Sequence, residues 1–257
     1  MSRGTVLITG ASSGIGEAIA RKFHDEGFDL IITARREDRL EALKSELSEQ
    51  NVTVIASDLS NGAGIDAFLG AISAHESAVD IVVNNAGMMV EGAFTDLTDD
   101  DVAQTIGLNI TALTRITQQF ARHMQSRGHG RITNIASVAA FHPVPGMDLY
   151  AATKAYVLSL SESLSENLRG SGVSVTTVCP GMTKTDMVDT ALAANLPPFM
   201  MSSSSEVAKE TFDAVMSREV LRIPGAANQV ALTWAQHQPR WLVRGIGGLA
   251  ARILPKT

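Results

Sequence analysis

Thr9-Gly10-Ala11-Ser12-Ser13-Gly14-Ile15-Gly16 stands between the apolar run Thr5 to Thr9 and a helical stretch from Ser13 to Glu26. Three glycines where a strand hands over to a helix allow a tight turn and a close approach of backbone to a ligand. The helix that follows offers unpaired N-H groups and the positive end of its dipole, so the turn suits a phosphate. The spacing Gly-x-x-x-Gly-x-Gly departs from the common G-x-G-x-x-G, and an ordinary glycine-rich turn would carry the same residues. What surrounds the turn decides between the two readings.

Short β-branched runs alternate with longer helical segments on either side of it. Asp29 to Ala34 precedes Glu37 to Gln50, Val52 to Ser57 precedes Ile65 to Ser77, and Val79 to Asn84 precedes helices around Asp99 to Arg127. Arg131 to Ala136, a helix from Leu149 to Arg169 and Val173 to Val178 continue the pattern, which places six strands. Uninterrupted apolar runs such as Ile81-Val82-Val83 suit strands buried on both faces. The expected fold is therefore α/β, a single-domain, doubly wound, Rossmann-like parallel sheet with a C-terminal helical tail. Residues 1–217 form the cofactor-binding and catalytic domain in this reading, and residues 218–257 extend it. Ser202 to Ser205 look like a helix-starting cap before Glu206.

The second strand runs into Thr33-Ala34-Arg35-Arg36, where an acid would mark recognition of the ribose hydroxyls of NAD. No acid is present, and two guanidinium groups there suit a 2'-phosphate, which points to NADP(H). A solvated pair opening a helix is the plainer alternative, although cations are disfavoured at a helix N-terminus.

Further motifs follow in order: Asp58-Leu59, Asn84-Asn85-Ala86-Gly87, Asn109, Ser137, Tyr150-Ala151-Ala152-Thr153-Lys154, and Pro180-Gly181 with Thr183 and Thr185. In this ordered set the chain resembles the classical short-chain dehydrogenase/reductase family from roughly Thr5 to Thr185. The resemblance implies that Gly10, Ser12, Ser13, Gly14, Ile15 and Gly16 surround the cofactor pyrophosphate. It also implies that Asp58 and Leu59 lie near the adenine, Asn85, Ala86 and Gly87 line the cofactor cleft, and Pro180, Gly181, Thr183 and Thr185 adjoin the nicotinamide. Asn109, Ser137, Tyr150 and Lys154 become the expected catalytic set, with Tyr150 and Lys154 also touching the cofactor.

Reducing a ketone needs hydride on carbon and a proton on oxygen, and Tyr150 is the candidate donor. Its ordinary pKa of roughly 10 is high for exchange near neutrality. Lys154, four residues on, shares a helical face with it and is expected to lower that pKa. Ser137 is expected to hold the substrate oxygen. By resemblance, Lys154 also holds the nicotinamide ribose and Asn109 anchors a water joining Lys154 to solvent. His142 in a loop and the lone Cys179 read as structural. Met88, Met89, Phe94, Met147, Met182, Met187, Phe199, Met200 and Met201 fall near the expected cleft mouth and favour an apolar carbonyl or alcohol substrate.

Composition narrows the remaining classes. A net charge of -6 argues against nucleic-acid binding, and 45% hydrophobic with 19% charged residues suits a globular enzyme. One cysteine excludes an intrachain disulfide, and with no signal-like start or bilayer-length apolar stretch the expected location is cytoplasmic. No metal site is expected. The resemblance implies a homodimer or homotetramer. The tail concentrates base, with six of 21 Lys/Arg but one of 27 acids in residues 218–257. Within it, Leu242, Ile246, Leu249 and Ile253 form a stripe that docks on the cleft rim or a partner subunit, with peripheral membrane contact as the alternative. A nonenzymatic NADP(H)-binding regulator is the rival function.

Overall fold

The structure, a computed structural model, describes residues 2–47, 51–74, 78–90, 92–183 and 201–225, together with Asn228, Gln229, Leu232, Gln238, Leu242 and Gly245. In chain order the elements are β1 (Thr5–Thr9), α1 (Gly14–Asp25), β2 (Asp29–Thr33), α2 (Glu37–Leu47), β3 (Val52–Val54), α3 (Gly62–Ser73) and β4 (Val79–Asn84). There follow α4 (Asp99–Ile106), a π-helical turn (Gly107–Ala112), α5 (Leu113–Arg127), β5 (Gly130–Ile135), α6 (Asp148–Asn167), β6 (Val173–Val178), α7 (Ser204–Ser217) and β7 (Leu221–Arg222).

All seven strands pair in parallel in the order β3-β2-β1-β4-β5-β6-β7. The chain winds outward from β1 in one direction and then restarts at β4 on its other side. The crevice between the carboxyl ends of β1 and β4 is therefore the switch point where open α/β sheets bind ligands. Helices cover both faces. Val6, Ile8, Ile81 and Val83 pack beneath α1 and α7, where Phe23, Phe28 and Phe212 meet edge to face. Leu7, Val82, Ile132 and Val175 pack against α3 and α5 through Phe68, Ile116 and Phe120. The strands are thus apolar on both sides, as the Ile81-Val82-Val83 run requires.

The sequence reading is extended at three points. The helices expected around Asp99 to Arg127 are joined by the π turn, whose wider ring inserts a residue and turns Asn109 inward. Gly107 permits the turn, since a Cβ there would stand 2.0 Å from the Ser60 carbonyl oxygen. β3 stops at Val54 because the chain beyond it keeps only single bonds to β2's side, Ile55 N-H to Ile32 O and Ser57 N-H to Ala34 O. β7 is a seventh strand, too short at two residues to leave a periodic signal. Ser203 and Glu206 cap α7 reciprocally, as the serine run suggested. The tail reading over Trp241 to Leu254 falls, apart from Leu242 and Gly245, outside the described residues.

Gly107→Ala should lower the urea midpoint by an amount equivalent to about 1–3 kcal/mol, the usual cost of forcing extra volume against fixed backbone. A midpoint unchanged from wild type would show that the Ser60 loop yields freely.

Candidate active site

The glycine turn leaves β1 with Gly10 at φ +71° and Gly14 at φ +59°, left-handed conformations that side chains resist. A Cβ on Gly16 would lie 2.1 Å from Gly10 O and 2.4 Å from Asn85 Nδ2, so the third glycine lets α1 close on the β4 turn. Ser13 caps α1 without a side-chain hydrogen bond, whereas α3, α4 and α7 begin with Asn61, Thr98 and Ser203 side chains accepting from their first turns. The N-H groups opening α1 are thus left to another acceptor.

Asn85 locks the two sides of the crevice together. Its Nδ2 donates to Thr9 O at 3.1 Å and Gly10 O at 3.2 Å. The Asn85 and Ala86 N-H groups both donate to Thr9 Oγ1, at 3.0 and 2.9 Å. The glycine-turn reading included Thr9 but gave its side chain no role, and its only signal was a hydroxyl at the carboxyl end of a buried strand.

The two arginines after β2 diverge. Arg36 Nη2 donates to Ser12 Oγ at 3.2 Å and Ser13 Oγ at 2.8 Å, which brings one guanidinium onto the glycine turn. Arg35 acts on Asp58 through its charge. Burial of the Asp58 carboxyl works against ionisation, but hydrogen bonds from Ser60 and Asn61 and the Arg35 charge hold its pKa below the usual value. Leu59 beside it is buried.

At the other side of the crevice Ser137 follows β5 and opens a short 3-10 turn, its Oγ accepting from Ala139 N-H at 3.1 Å. Tyr150 and Lys154 lie on one face in the first turns of α6, and Lys154 Nζ stands 5.6 Å from the phenol ring centroid. Lys154 is buried and donates to Ile135 O at 3.0 Å. Asn109 Oδ1 accepts from Met88 N-H at 2.9 Å, while its Nδ2 donates to Met88 O at 2.9 Å and Thr153 Oγ1 at 3.0 Å. A Cβ on Gly87 would come within 3.3 Å of Lys154 Nζ and 3.4 Å of Asn109 Oδ1, so both groups converge on that glycine. The four expected catalytic residues are therefore gathered from the π turn, the β5 end and α6.

Electrostatics departs from the expected order of effects. Burial raises the Tyr150 pKa, a hydrogen bond from Ser137 pulls it down, and the neighbouring Cys179 thiol adds an upward push. The expected lowering by Lys154 does not figure in the free protein, where burial is the largest cause and Ser137 the one that lowers the pKa. Burial also brings the Lys154 ammonium down to about 8. Cys179, fully buried, is pushed up to about 12 and behaves as a small hydrophobe.

On the carbonyl side, Pro180 O accepts from Val138 N-H at 3.0 Å, and Gly181 lies so close to Asn228 that a Cβ would meet Nδ2 at 2.3 Å. Thr183 is buried, donates to Gly181 O at 3.0 Å and bridges to Ser202. Thr185, Met187, Phe199 and Met200 lie outside the described residues. A shallow, open depression adjoins Tyr150, lined by Val90, Phe94, Leu97, Met147 and Leu149 together with Thr105 and Asp148. Met147 and Phe94 thus take the cleft positions expected of them, while Met88 serves through its backbone. Among the described residues no cluster of His, Cys, Asp and Glu could hold a metal ion, and no helix is long and apolar enough to cross a membrane.

The ligand-free Lys154 supplies a pH prediction. Below about 8 both folded and unfolded chains hold this proton and the burial cost is present in full. Between about 8 and the unfolded value of 10.5 the unfolded chain holds more protons, so this residue makes stability rise with pH. Cys179 opposes that trend at higher pH, its folded pKa being raised, so the comparison is with Lys154→Met. The variant should be more stable than wild type at neutral pH, by up to about 3 kcal/mol at about 1.4 kcal/mol per pH unit. The gap should narrow as pH climbs past 8. Parallel curves of stability against pH would rule out a strained ammonium.

Residues 4–195 match the family model for short chain dehydrogenase. Nodulation protein G of Rhizobium sp. (strain N33) is 37% identical over 209 residues, covering 79% of this chain and 85% of its own. A short-chain dehydrogenase from Sphingobium yanoikuyae, solved in complex with NADPH, is 35% identical with a TM-score of 0.82, covering 99% of this chain and 97% of its own. The bulky-bulky ketone specific alcohol dehydrogenase from Comamonas testosteroni is 32% identical with a TM-score of 0.80, over 99% of this chain and 100% of its own.

Proposed function

This chain belongs to the short-chain dehydrogenase family, and from that premise we propose that it is an NADP(H)-dependent oxidoreductase acting between the carbonyl and alcohol states of an apolar small molecule. The observation that carries the reading is the convergence of Ser137, Tyr150, Lys154 and Asn109 across the switch-point crevice from the glycine turn.

The residues present fit a dinucleotide. Gly10, Gly14, Ile15 and Gly16 with the uncapped opening of α1 would hold the pyrophosphate. Arg36 with Ser12 and Ser13, backed by Arg35, would take the 2'-phosphate. Asp58 and Leu59 would flank the adenine, Asn85, Ala86 and Gly87 the cleft floor, and Pro180, Gly181, Thr183 and Thr185 the nicotinamide. When bound, the nicotinamide supplies or accepts the hydride.

In reduction Ser137 O-H donates to the substrate oxygen and Tyr150 O-H delivers the proton that completes the alcohol. The phenol is protonated near neutrality, as a proton donor for reduction must be, while burial raises its pKa in the ligand-free protein. Lys154 would hold the nicotinamide ribose and return a proton toward Tyr150. Asn109 spends its side chain on Met88 and Thr153, so a water on that relay would use its remaining Oδ1 lone pair or its main-chain carbonyl. Val90, Phe94, Leu97, Met147 and Leu149 beside Tyr150 favour an apolar substrate, with Thr105 and Asp148 as the polar groups of the same lining.

Loss of NADPH absorbance on incubation with a panel of ketones, aldehydes, quinones and 3-oxoacyl thioesters tests the reading. Turnover of at least one class is expected; silence toward all of them alongside tight NADPH binding would favour a nonenzymatic regulator. We further propose a homodimer or homotetramer through α5 and α6, whose outer faces leave Tyr156 exposed and bonded to Thr114 at 3.0 Å. A monomeric mass by light scattering would contradict it.

A further inference from the structure

We propose that Thr153 is a positioning residue, one that fixes the orientation of the Asn109 carboxamide and thereby the acceptor presented toward Lys154. The proposal rests on the reading of Tyr150 and Lys154 as the reacting pair.

Thr153 is 1% exposed, inside α6 between the two. A valine would fill nearly the same space there, so packing alone does not call for a hydroxyl. That hydroxyl has one proton, donated to Tyr150 O at 2.8 Å. Having spent it, Thr153 Oγ1 can only accept on its other side, and it accepts from Asn109 Nδ2 at 3.0 Å.

The Met88 N-H and C=O set which way the carboxamide faces, Oδ1 accepting from the one and Nδ2 donating to the other at 2.9 Å each. Thr153 Oγ1, an obligate acceptor, takes the remaining Nδ2 proton and holds that orientation against a flip between two ends of nearly equal shape. With Nδ2 so held, Asn109 Oδ1 accepts from Met88 N-H at 2.9 Å and lies on the Gly87 side. There Oδ1 and Lys154 Nζ stand within 3.4 Å of one common point, the Cβ position of Gly87. The reversed carboxamide would aim N-H groups at the Met88 N-H and toward the ammonium, placing donors against donors. Lys154 is buried, with Ile135 O as its hydrogen-bond acceptor at 3.0 Å, and Asn109 Oδ1 stands on the same Gly87 side as its ammonium. The chain Tyr150 C=O, Thr153 O-H, Asn109 NH2 and Met88 N-H thus ties the catalytic helix to the π turn and to the loop after β4.

Thr153→Val and Thr153→Ser separate this role from structure. Thr153→Val should lower kcat about tenfold through lost alignment while leaving KM for NADPH within about twofold, and Thr153→Ser should restore most of the loss. In an Asn109→Ala background Thr153→Val should add little, because residues acting as a unit are not additive. In the ligand-free protein the Asn109 side-chain amide hydrogens, followed by NMR, should exchange faster in Thr153→Val and as in wild type in Thr153→Ser. Wild-type kcat in Thr153→Val, failure of serine to rescue, an undiminished effect without Asn109, or unchanged exchange would each overturn the proposal. A wild type silent toward every carbonyl compound, with exchange still quickened by Thr153→Val, would instead sink the oxidoreductase reading and leave the tether supported.

Discussion

Tyr150→Phe should lower kcat for carbonyl reduction by at least about a hundredfold, the lower end of what a positioned general acid contributes, while NADPH binding stays close to wild type. The substitution keeps the ring beneath Lys154 Nζ and removes only the oxygen that hydrogen-bonds Ser137. Fold and cofactor contacts should therefore survive while the proton source is lost. The direction of the Tyr150 shift adds a second, independent check. Because burial raises this pKa, the protonated phenol should persist above its ordinary range, so reduction should show a first change at about 8, where Lys154 loses its proton, and a final fall as the phenol ionises. Alcohol oxidation needs the phenolate as base and should rise over the same interval. Single-turnover measurements on both directions would show these mirror-image limbs, and Tyr150→Phe should flatten both. A variant with wild-type turnover, measured where chemistry limits the rate, would mean that another group carries the proton.

Much of this arrangement was legible in the sequence because it rests on local signals. Apolar runs gave six of the strands, Gly10, Gly14 and Gly16 gave the turn, and the four-residue spacing of Tyr150 and Lys154 gave a shared helix face. What escaped depends on partners far away in the chain. The π turn at Gly107 answers to the Ser60 carbonyl, and Thr9 matters because residues 85 and 86 donate to its hydroxyl. Thr153 reads as filler until Asn109 is seen beside it. The sign of the Tyr150 shift was also hidden, since spacing reveals a neighbouring charge but not the burial that raises the phenol pKa.

Replacing Arg35 and Arg36 together by alanine should weaken NADPH much more than NADH, and the structure apportions that loss between them. Arg36 reaches Ser12 and Ser13 on the glycine turn, where a guanidinium and two hydroxyls offer a phosphate several donors at once. Arg35 acts on the Asp58 carboxylate, which itself is held by Ser60 and Asn61. Arg36→Ala alone should therefore carry most of the NADPH loss, on the order of ten- to a hundredfold for charge-assisted hydrogen bonds, and should hardly touch NADH. Arg35→Ala should cost less and fall more evenly on both cofactors, because it alters the Asp58 loop rather than a phosphate contact. Titrating each variant with both cofactors, at fixed ionic strength because these charges are exposed to screening, separates the two arginines. Equal losses of NADPH and NADH in the double variant would refute recognition of the 2'-phosphate and return the arginines to a solvated pair opening α2.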